Sequence, residues 1–355
     1  MAIYDFQRLN VLFVEDNNYI STVFETLLRQ FQVGYIETAK NGAEAVEILK
    51  LSGRTGELRG LRDFDLVVSD LLMTPVDGLL LLRWIRTGKE SPNRFLPFIM
   101  LSGAADTHYV AEARDFGANE FLAKPFSAES VYKHFLQIID YPRSYVATQN
   151  YFGPNRRRRD LPPPGRDRRV TQESNIAIVY SADRVVKPAT PTEVWEFRLP
   201  NRLKEKVAGL GGGDGGGEIP FNLLEEAEAQ LQRAALDFTE WARGYLTKLS
   251  RLCEQALEQP SGRRRQFDEI NMLAHELRGQ GGTFGYPLIS IFGKMLYDAT
   301  GASCREDNNM VEIVRAHIDA MRAVLRDKVS GDGGMVGREL LASLKAAIKK
   351  RMTAI

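Results

Sequence analysis

Cysteine is scarce in this chain: Cys253 and Cys304 are the two among 355 residues. That excludes a disulfide framework and fits a reducing compartment. Net charge is nearly absent too, at +1. No global field therefore draws the protein to nucleic acid or to an anionic membrane, and any such partner needs a local patch. No apolar run approaches the ~20 residues of a membrane span. The opening MAIYDFQRLN lacks the basic-then-apolar shape of a signal peptide. A cytoplasmic protein without a membrane partner is expected. Internal repeats are also missing. What is present is ordinary globular material, 44% hydrophobic and 26% charged, in a length that supports two or three domains with their own cores.

The chain divides by pattern. Up to about residue 142, short apolar runs alternate with helical ones. VLFVE (Val11–Glu15), YIETA (Tyr35–Ala39), DLVVSD (Asp65–Asp70), FIMLS (Phe98–Ser102) and EFLAK (Glu120–Lys124) read as buried strands. Helical stretches such as Ser21–Phe31 and Ala43–Leu51 separate them. This alternation predicts a doubly wound α/β domain, 1–142, with a five-stranded parallel sheet covered on both faces. Residues 143–220 read as an Arg-, Pro- and Gly-rich linker. NRRRRDLPPPGRDRR (Asn155–Arg169) excludes helix and central strand, and GLGGGDGGG (Gly209–Gly217) reads as flexible on composition. Between them, IAIVY (Ile176–Tyr180) and VWEFRL (Val194–Leu199) are β-prone and suggest a small hairpin.

From Phe221 apolar residues recur at three- and four-residue steps. A first stripe runs through Leu224, Ala227, Leu231, Phe238, Trp241, Tyr245, Leu249 and Leu252. A second runs Phe267, Ile270, Ala274, Leu277, Gly281, Phe284, with Gly285 ending its helix before Pro287. Leu288, Phe292, Met295 and Ala299 mark a third, and Val311, Val314, Ile318, Met321 and Leu325 a fourth. The expectation is an all-α four-helix bundle over 221–330, followed by a basic tail or short helix over 331–355.

In an open α/β sheet, chemistry gathers at the carboxyl ends of the strands. There lie Glu15 and Asp16 after the first strand, Asp70 after the third, Ser102 after the fourth and Lys124 after the fifth. Crowded carboxylates repel unless a divalent cation neutralises them, and oxygen-only ligands suit Mg²⁺. A lysine and a hydroxyl opposite complete a site for a tetrahedral anion. The chemistry is phosphoryl transfer to a carboxylate, with Asp70 attacking in line and cationic charge on the equatorial oxygens.

These motifs, VEDN, SDLLMTPVDG, LSG and AKPF, in order and each at a strand end, resemble the receiver domain of two-component response regulators over Leu9–Tyr141. The resemblance implies a flavodoxin-like fold, Asp70 as phosphoacceptor, and Glu15, Asp16 and Asp70 as metal ligands. It also implies Ser102 and Lys124 as phosphoryl ligands, a sensor histidine kinase upstream, and a cis bond before Pro125. Phe121 either rotates as they engage or simply packs in the core. The sequence departs in a late proline (Thr74-Pro75) and a long SGRTGELRGLRDF segment. Leu72 and Ala104, two residues past Asp70 and Ser102, are apolar and cannot position an attacking water, so phospho-Asp70 is expected to hydrolyse slowly.

The second bundle helix carries LAHELRGQGGTFG (Leu273–Gly285), with four glycines in seven residues. Each glycine inside a helix costs about 1 kcal/mol relative to alanine. His275 and Arg278 each follow a stripe residue by one, so they sit about 100° round from the core face. Asp268 and Asn271 continue their face upstream, and Gly279 and Gly282 share it. An imidazole beside a cation on a bare surface is a nucleophile for an acyl phosphate. The motif is similar to that of histidine phosphotransfer (HPt) domains, with Arg278 where lysine is commoner. That implies His275 as a phosphorylated residue supported by Arg278 and Gly279, serving other receivers. His108, His134 and His317 lack such neighbours and read as surface or packing residues. HELR also begins the phosphoacceptor box of sensor kinases, but no glycine-rich nucleotide loop follows it, so self-phosphorylation from ATP is not expected.

Arg156–Arg159, Arg166, Arg168 and Arg169 form either a solvated linker or a tether for an anionic partner. No recognition helix supports a nucleic-acid binder. As a flexible coil of ~75 residues the middle segment would span roughly 45–50 Å, enough for exchange between Asp70 and His275 within one chain. The expected protein is a phosphorelay component. Its rival is a receiver-switched docking or dimerisation regulator in which His275 carries no phosphate.

Overall fold

The computed structural model describes all residues except 1, 56–61, 104–106, 125, 157–175, 183–187, 189, 209–215, 261, 283 and 354–355. It divides into two compact units, Met1–Gln230 and Leu231–Ile355.

In the first unit, strand β1 is Ala2–Ile3 and the central sheet comprises β2 (Asn10–Val14), β3 (Tyr35–Ala39), β4 (Leu66–Asp70), β5 (Phe98–Gly103) and β6 (Glu120–Lys124). Their order is β3-β2-β4-β5-β6, every pairing parallel. Helices α1 (Asn18–Gln30), α2 (Gly42–Thr55), α3 (Gly78–Thr87), α4 (Thr107–Phe116) and α5 (Ala128–Asp140) alternate with them. The whole of β2 is buried, as expected of a strand covered on both faces. Local caps set helix starts: Asn17 Oδ1 accepts from Tyr19 and Ile20 N–H at α1, and Ser127 with Ser130 forms a capping box at α5. The doubly wound expectation therefore fits the structure.

Residues 143–220 depart from the linker expectation. Strands β7 (Tyr145–Ala147), β8 (Phe152–Pro154), β9 (Ile176–Val179) and β10 (Val194–Phe197) form a second sheet in the order β8-β7-β10-β9. β9 and β10 are parallel neighbours rather than a hairpin, and β10 runs antiparallel to β7. The reason is apolar: Tyr145, Phe152, Trp195 and Phe197 are buried together around Phe95 from the loop before β5. Phe95 meets the Tyr145, Phe152 and Phe197 rings edge-on at 5.1–5.2 Å. Hydrophobic burial of four aromatic rings outweighs the poor local strand signal. The coil estimate of the reach between Asp70 and His275 therefore does not apply.

The added sheet is fastened by Arg86, which is fully buried. Its Nε donates to the Gly117 carbonyl (3.1 Å), one amine to the Arg94 and Leu96 carbonyls (both 2.8 Å) and the other to Asn119 Oδ1 (2.9 Å). Its guanidinium also lies 5.3 Å from the Tyr145 ring centroid. One cation thus joins the loops that enter β5 and β6 to the first strand of the second sheet.

After α6 (Arg202–Ala208), the chain forms β11 (Gly217–Glu218), parallel to β1. Gly217, last of the glycine run, is structural: a Cβ there would lie 2.2–2.4 Å from the Tyr4 ring. The chain then runs along α5 against its direction. Gly217 N–H donates to Asp140 Oδ2 (3.3 Å), Ile219 N–H to the Tyr132 hydroxyl (2.8 Å), and Ala128 N–H to Glu228 Oε2 (2.9 Å).

Glu228 belongs to α7 (Phe221–Glu258), whose later turns belong to the second unit with α8 (Arg263–Gln280), α9 (Pro287–Ala299), α10 (Asn308–Arg326) and α11 (Gly334–Thr353). There α8 packs on α9, α9 on α10 and α10 on α11. The second and fourth stripes are buried as expected. The first is buried in part: Ala227, Phe238, Leu249 and Leu252 are buried as expected, joined by Ala242, Leu246 and Cys253, while Trp241 and Tyr245 are half-buried on its flank, their rings tilted at 34° with centroids 4.0 Å apart. On α9, Ile289, Gly293 and Leu296 are buried beside Leu288 and Phe292, while Met295 and Ala299 are partly exposed. The tail is a full helix, longer than the short one expected. No helix among the described residues is long and apolar enough to cross a membrane.

Candidate functional site

Parallel pairing brings the first candidate site together. Val14 pairs with Ser69, Asp70 with Leu101 and Gly103 with Lys124, so Glu15, Asp16, Asp70, Ser102 and Lys124 all lie at the carboxyl ends of adjacent strands. Lys124 Nζ lies 2.9 Å from Asp70 Oδ1 and 3.0 Å from Glu15 Oε2. Ser102 is buried at the end of β5, and Phe121 is half-buried against the core.

The electrostatics are those of a carboxylate cluster short of cations. Burial pushes the Glu15 carboxyl up to about 8; Lys124 opposes that and Asp70 adds to it. Burial likewise raises Asp70, against the pull of Lys124. For Lys124, burial alone would favour the neutral amine, but Asp70 and Glu15 outweigh it and hold the ammonium above the ordinary lysine range. One ammonium thus pairs with two of the three carboxylates. Among the described residues, Glu15, Asp16 and Asp70 form the one cluster able to hold a metal, each offering an oxygen, all within 4.8 Å of one another. Oxygen-only donors at that spacing fit Mg²⁺.

Leu72 packs against the core rather than towards water. Ala104 and Pro125 lie outside the described residues, so the expectations placed on them are untouched. Thr74–Pro75 is a cis peptide.

The second candidate site lies on α8. His275 and Arg278 are half-buried, and both meet Tyr297 of α9. The imidazole and phenol centroids are 5.6 Å apart at 56°, and the Arg278 Cζ lies 5.2 Å from the same ring centroid. Gly279 is exposed, and among the described residues nothing lies within 4 Å of where its Cβ would be. An open cleft beside this face is lined by Arg264, Asp268, Asn271, Met272, Tyr297 and Asp298, among others.

Two expectations about the glycines are corrected. The helix ends at Gln280, not at Gly285, because Tyr286 N–H bonds back to the Gly281 carbonyl and closes the turn. Gly282 is therefore in that turn, its N–H donating to Ser290 Oγ (2.8 Å), and not on the open helical face. Phe284 lies beyond the helix yet is buried, stacked on Phe238 at 5.0 Å.

Sequence reasoning missed Tyr297. The available signal was Gly293 one turn before an aromatic, off the apolar stripe. Of the other histidines, His317 is buried and its Nδ1 donates to the Ile313 carbonyl, a packing role. His134 is bonded to the Ser130 carbonyl through Nδ1. Arg156 pairs with Asp115 and covers the Tyr151 ring; the rest of the arginine run lies outside the described residues.

A family model described as the response regulator receiver domain matches residues 11–135. Chemotaxis protein CheY-3 of Vibrio cholerae is 28% identical over 134 residues, 38% of this chain and 94% of that protein. Two-component response regulator ORR22 of Oryza sativa is 40% identical over 124 residues, 35% of this chain and 16% of that protein. The solved structure of chemotaxis protein CheY4 of Vibrio cholerae is similar at 27% identity and a TM-score of 0.30, covering 37% of this chain and 98% of that one.

Proposed function

With residues 11–135 a response regulator receiver domain, we propose that the chain is a two-component phosphorelay protein. Its receiver takes a phosphoryl group on Asp70, and its helical unit, read as HPt-like, carries one on His275. Receiver domains bind Mg²⁺ at an acidic pocket and interact with sensor histidine kinases. A sensor histidine kinase is accordingly the proposed donor, and other receivers are the partners of His275, in the cytoplasm. Both cysteines are free thiols, in keeping with that compartment.

In the first step an Asp70 oxygen attacks the phosphorus of a phosphohistidine protonated on its other ring nitrogen. The P–O bond forms, the P–N bond breaks, and neutral imidazole leaves. Lys124, paired with Asp70 and Glu15 at rest, is the ammonium at hand for the phosphoryl oxygens, and Ser102 on the adjacent strand would add its hydroxyl. Glu15, Asp16 and Asp70 would hold a magnesium ion, which when bound would supply further positive charge for those oxygens. In the second step a nitrogen lone pair of His275 attacks a receiver's acyl phosphate. The P–N bond forms, the carboxylate leaves, and the ring keeps its proton on the other nitrogen as an imidazolium. Arg278 attracts the phosphoryl oxygens.

The observation that carries the reading is the His275 face: a half-buried imidazole and a guanidinium on one aromatic ring, with open space beyond Gly279. The test is transfer of radiolabel from a phosphorylated kinase, or from acetyl phosphate, to wild type, Asp70→Asn and His275→Gln. Asp70→Asn should lose the alkali-labile acyl label, and His275→Gln the alkali-stable label. If His275→Gln accepts and relays label as wild type does, the relay reading fails and the bundle is a docking module.

A further inference from the structure

Tyr297 emerges from the packing of α9 rather than from the α8 motif. Helices α8 and α9 approach closely at Gly293, where a Cβ would lie 2.7 Å from the Arg278 backbone nitrogen and 3.1 Å from the Leu277 carbonyl carbon. One turn on, Asn271 Nδ2 donates to the Tyr297 carbonyl (2.7 Å) and to Thr300 Oγ1 (3.0 Å). A glycine contact on one side and an amide clamp on the other fix the register of the two helices around Tyr297. Its ring is then delivered to the face that holds His275 and Arg278.

The two side chains differ in what they need. The His275 imidazole has two rotatable bonds, while Arg278 is long and loses much rotamer freedom when held. A helix by itself sets only their Cα spacing. The Tyr297 ring touches both, with the guanidinium over its face and the imidazole tilted against it, a placement that the ring quadrupole favours for the cation.

We propose that Tyr297 is a positioning residue for phosphoryl transfer at His275. Its ring fixes the distance between the nucleophilic imidazole and the cation that meets the phosphoryl oxygens. The proposal rests on the reading of His275 as phosphoacceptor. The phenol hydroxyl has no part in it; the aromatic face does the positioning.

The experiment uses the full chain with Tyr297→Phe, Tyr297→Leu, Arg278→Gln and the Leu/Gln double variant. Imidazole proton resonances of His275, assigned by their loss in His275→Gln, report the ring contact. Labelled phosphoramidate, which phosphorylates imidazoles directly, reports reactivity. Tyr297→Phe should keep the ring-current shift and stay within about twofold of the wild-type rate. Tyr297→Leu should lose the shift and slow labelling about tenfold. Adding Arg278→Gln to it should slow labelling little more, because the cation is already displaced. Wild-type labelling speed in Tyr297→Leu, or full additivity in the double variant, overturns the positioning role alone. Absence of label on wild-type His275 overturns the phosphoacceptor reading and the proposal with it.

Discussion

A single methyl group added at Gly293 should weaken the α8–α9 pair, although alanine is the better helix former. A Cβ at Gly293 meets three backbone atoms, Arg278 N at 2.7 Å, Arg278 Cα at 3.0 Å and the Leu277 carbonyl carbon at 3.1 Å. Backbone atoms of a packed helix cannot swing aside as a side chain can. Ordinary contact begins at 3.4 Å, so the axes must part by roughly 0.7 Å (3.4 less 2.7). Glycine-to-alanine in a helix interior contributes about 1 kcal/mol, while overpacking of this kind costs about 1–3 kcal/mol. The net is a loss of about 1 kcal/mol. The control is Gly279→Ala, where the methyl meets nothing within 4 Å among the described residues. That site is near the end of α8, so the gain is about 0.5 kcal/mol. The two variants thus differ by about 1.5 kcal/mol, or roughly tenfold in local opening. Amide hydrogen exchange of α8 and α9 peptides in the full chain measures this. Exchange in Gly293→Ala as slow as in Gly279→Ala would refute the close approach on which the Tyr297 register depends.

Arg86→Met should strip the guanidinium from the Gly117, Arg94 and Leu96 carbonyls and from the Asn119 amide. Four acceptors, three of them in buried bonds, losing a charged donor should destabilise the first unit by about 3 kcal/mol or more. A urea transition of the full chain followed at Trp195 checks it; an unchanged midpoint would show that the second sheet is held some other way. His317 gives a pH effect of definite sign. Burial lowers its pKa from the ordinary 6.5, and Nε2 has no hydrogen-bond partner among the described residues. Its contribution to stability is therefore full above about pH 6.5 and falls as the pH drops towards the folded-state value, because the unfolded chain takes the proton first. Thermal melts of wild type between pH 7 and 5 should fall more steeply than those of His317→Leu; parallel curves would count against it.

Much of the receiver was legible because its signals are local. Each candidate side chain of that site follows an apolar strand run, and parallel order alone brings the ends together. His275 and Arg278 could be placed by helical arithmetic, since the stripe from Phe267 to Leu277 is continuous and buried. Of the second sheet, β9 and β10 were legible as β-prone runs, but their parallel pairing and the two strands before them were not. Its strands are three or four residues long, and β7 pairs with β10 across the arginine- and proline-rich stretch, so neither period nor turn marks it. Its stability comes from Phe95 and the aromatics around it, a long-range effect that no window contains. Gly217 misled for the opposite reason. Within a run of glycines its composition speaks for a linker, while the Tyr4 ring alone says why it must be glycine. The error at Gly282 came from extending a helical face past the last helical residue.

The course of residues 217–228 along α5 has a further consequence. At the end, middle and start of that helix, the chain's own backbone or carboxylate holds a hydrogen bond. Any protein that recognises this side of α5 meets a tethered competitor already seated there. A tether of this kind acts at an effective concentration on the order of millimolar. A soluble partner at cellular concentration must therefore bind α5 far more tightly than the segment does, or wait for β11 to peel from β1. The Glu228 contact ends at Ala128, four residues after Lys124. Whatever shifts that loop thus alters the terms of this competition.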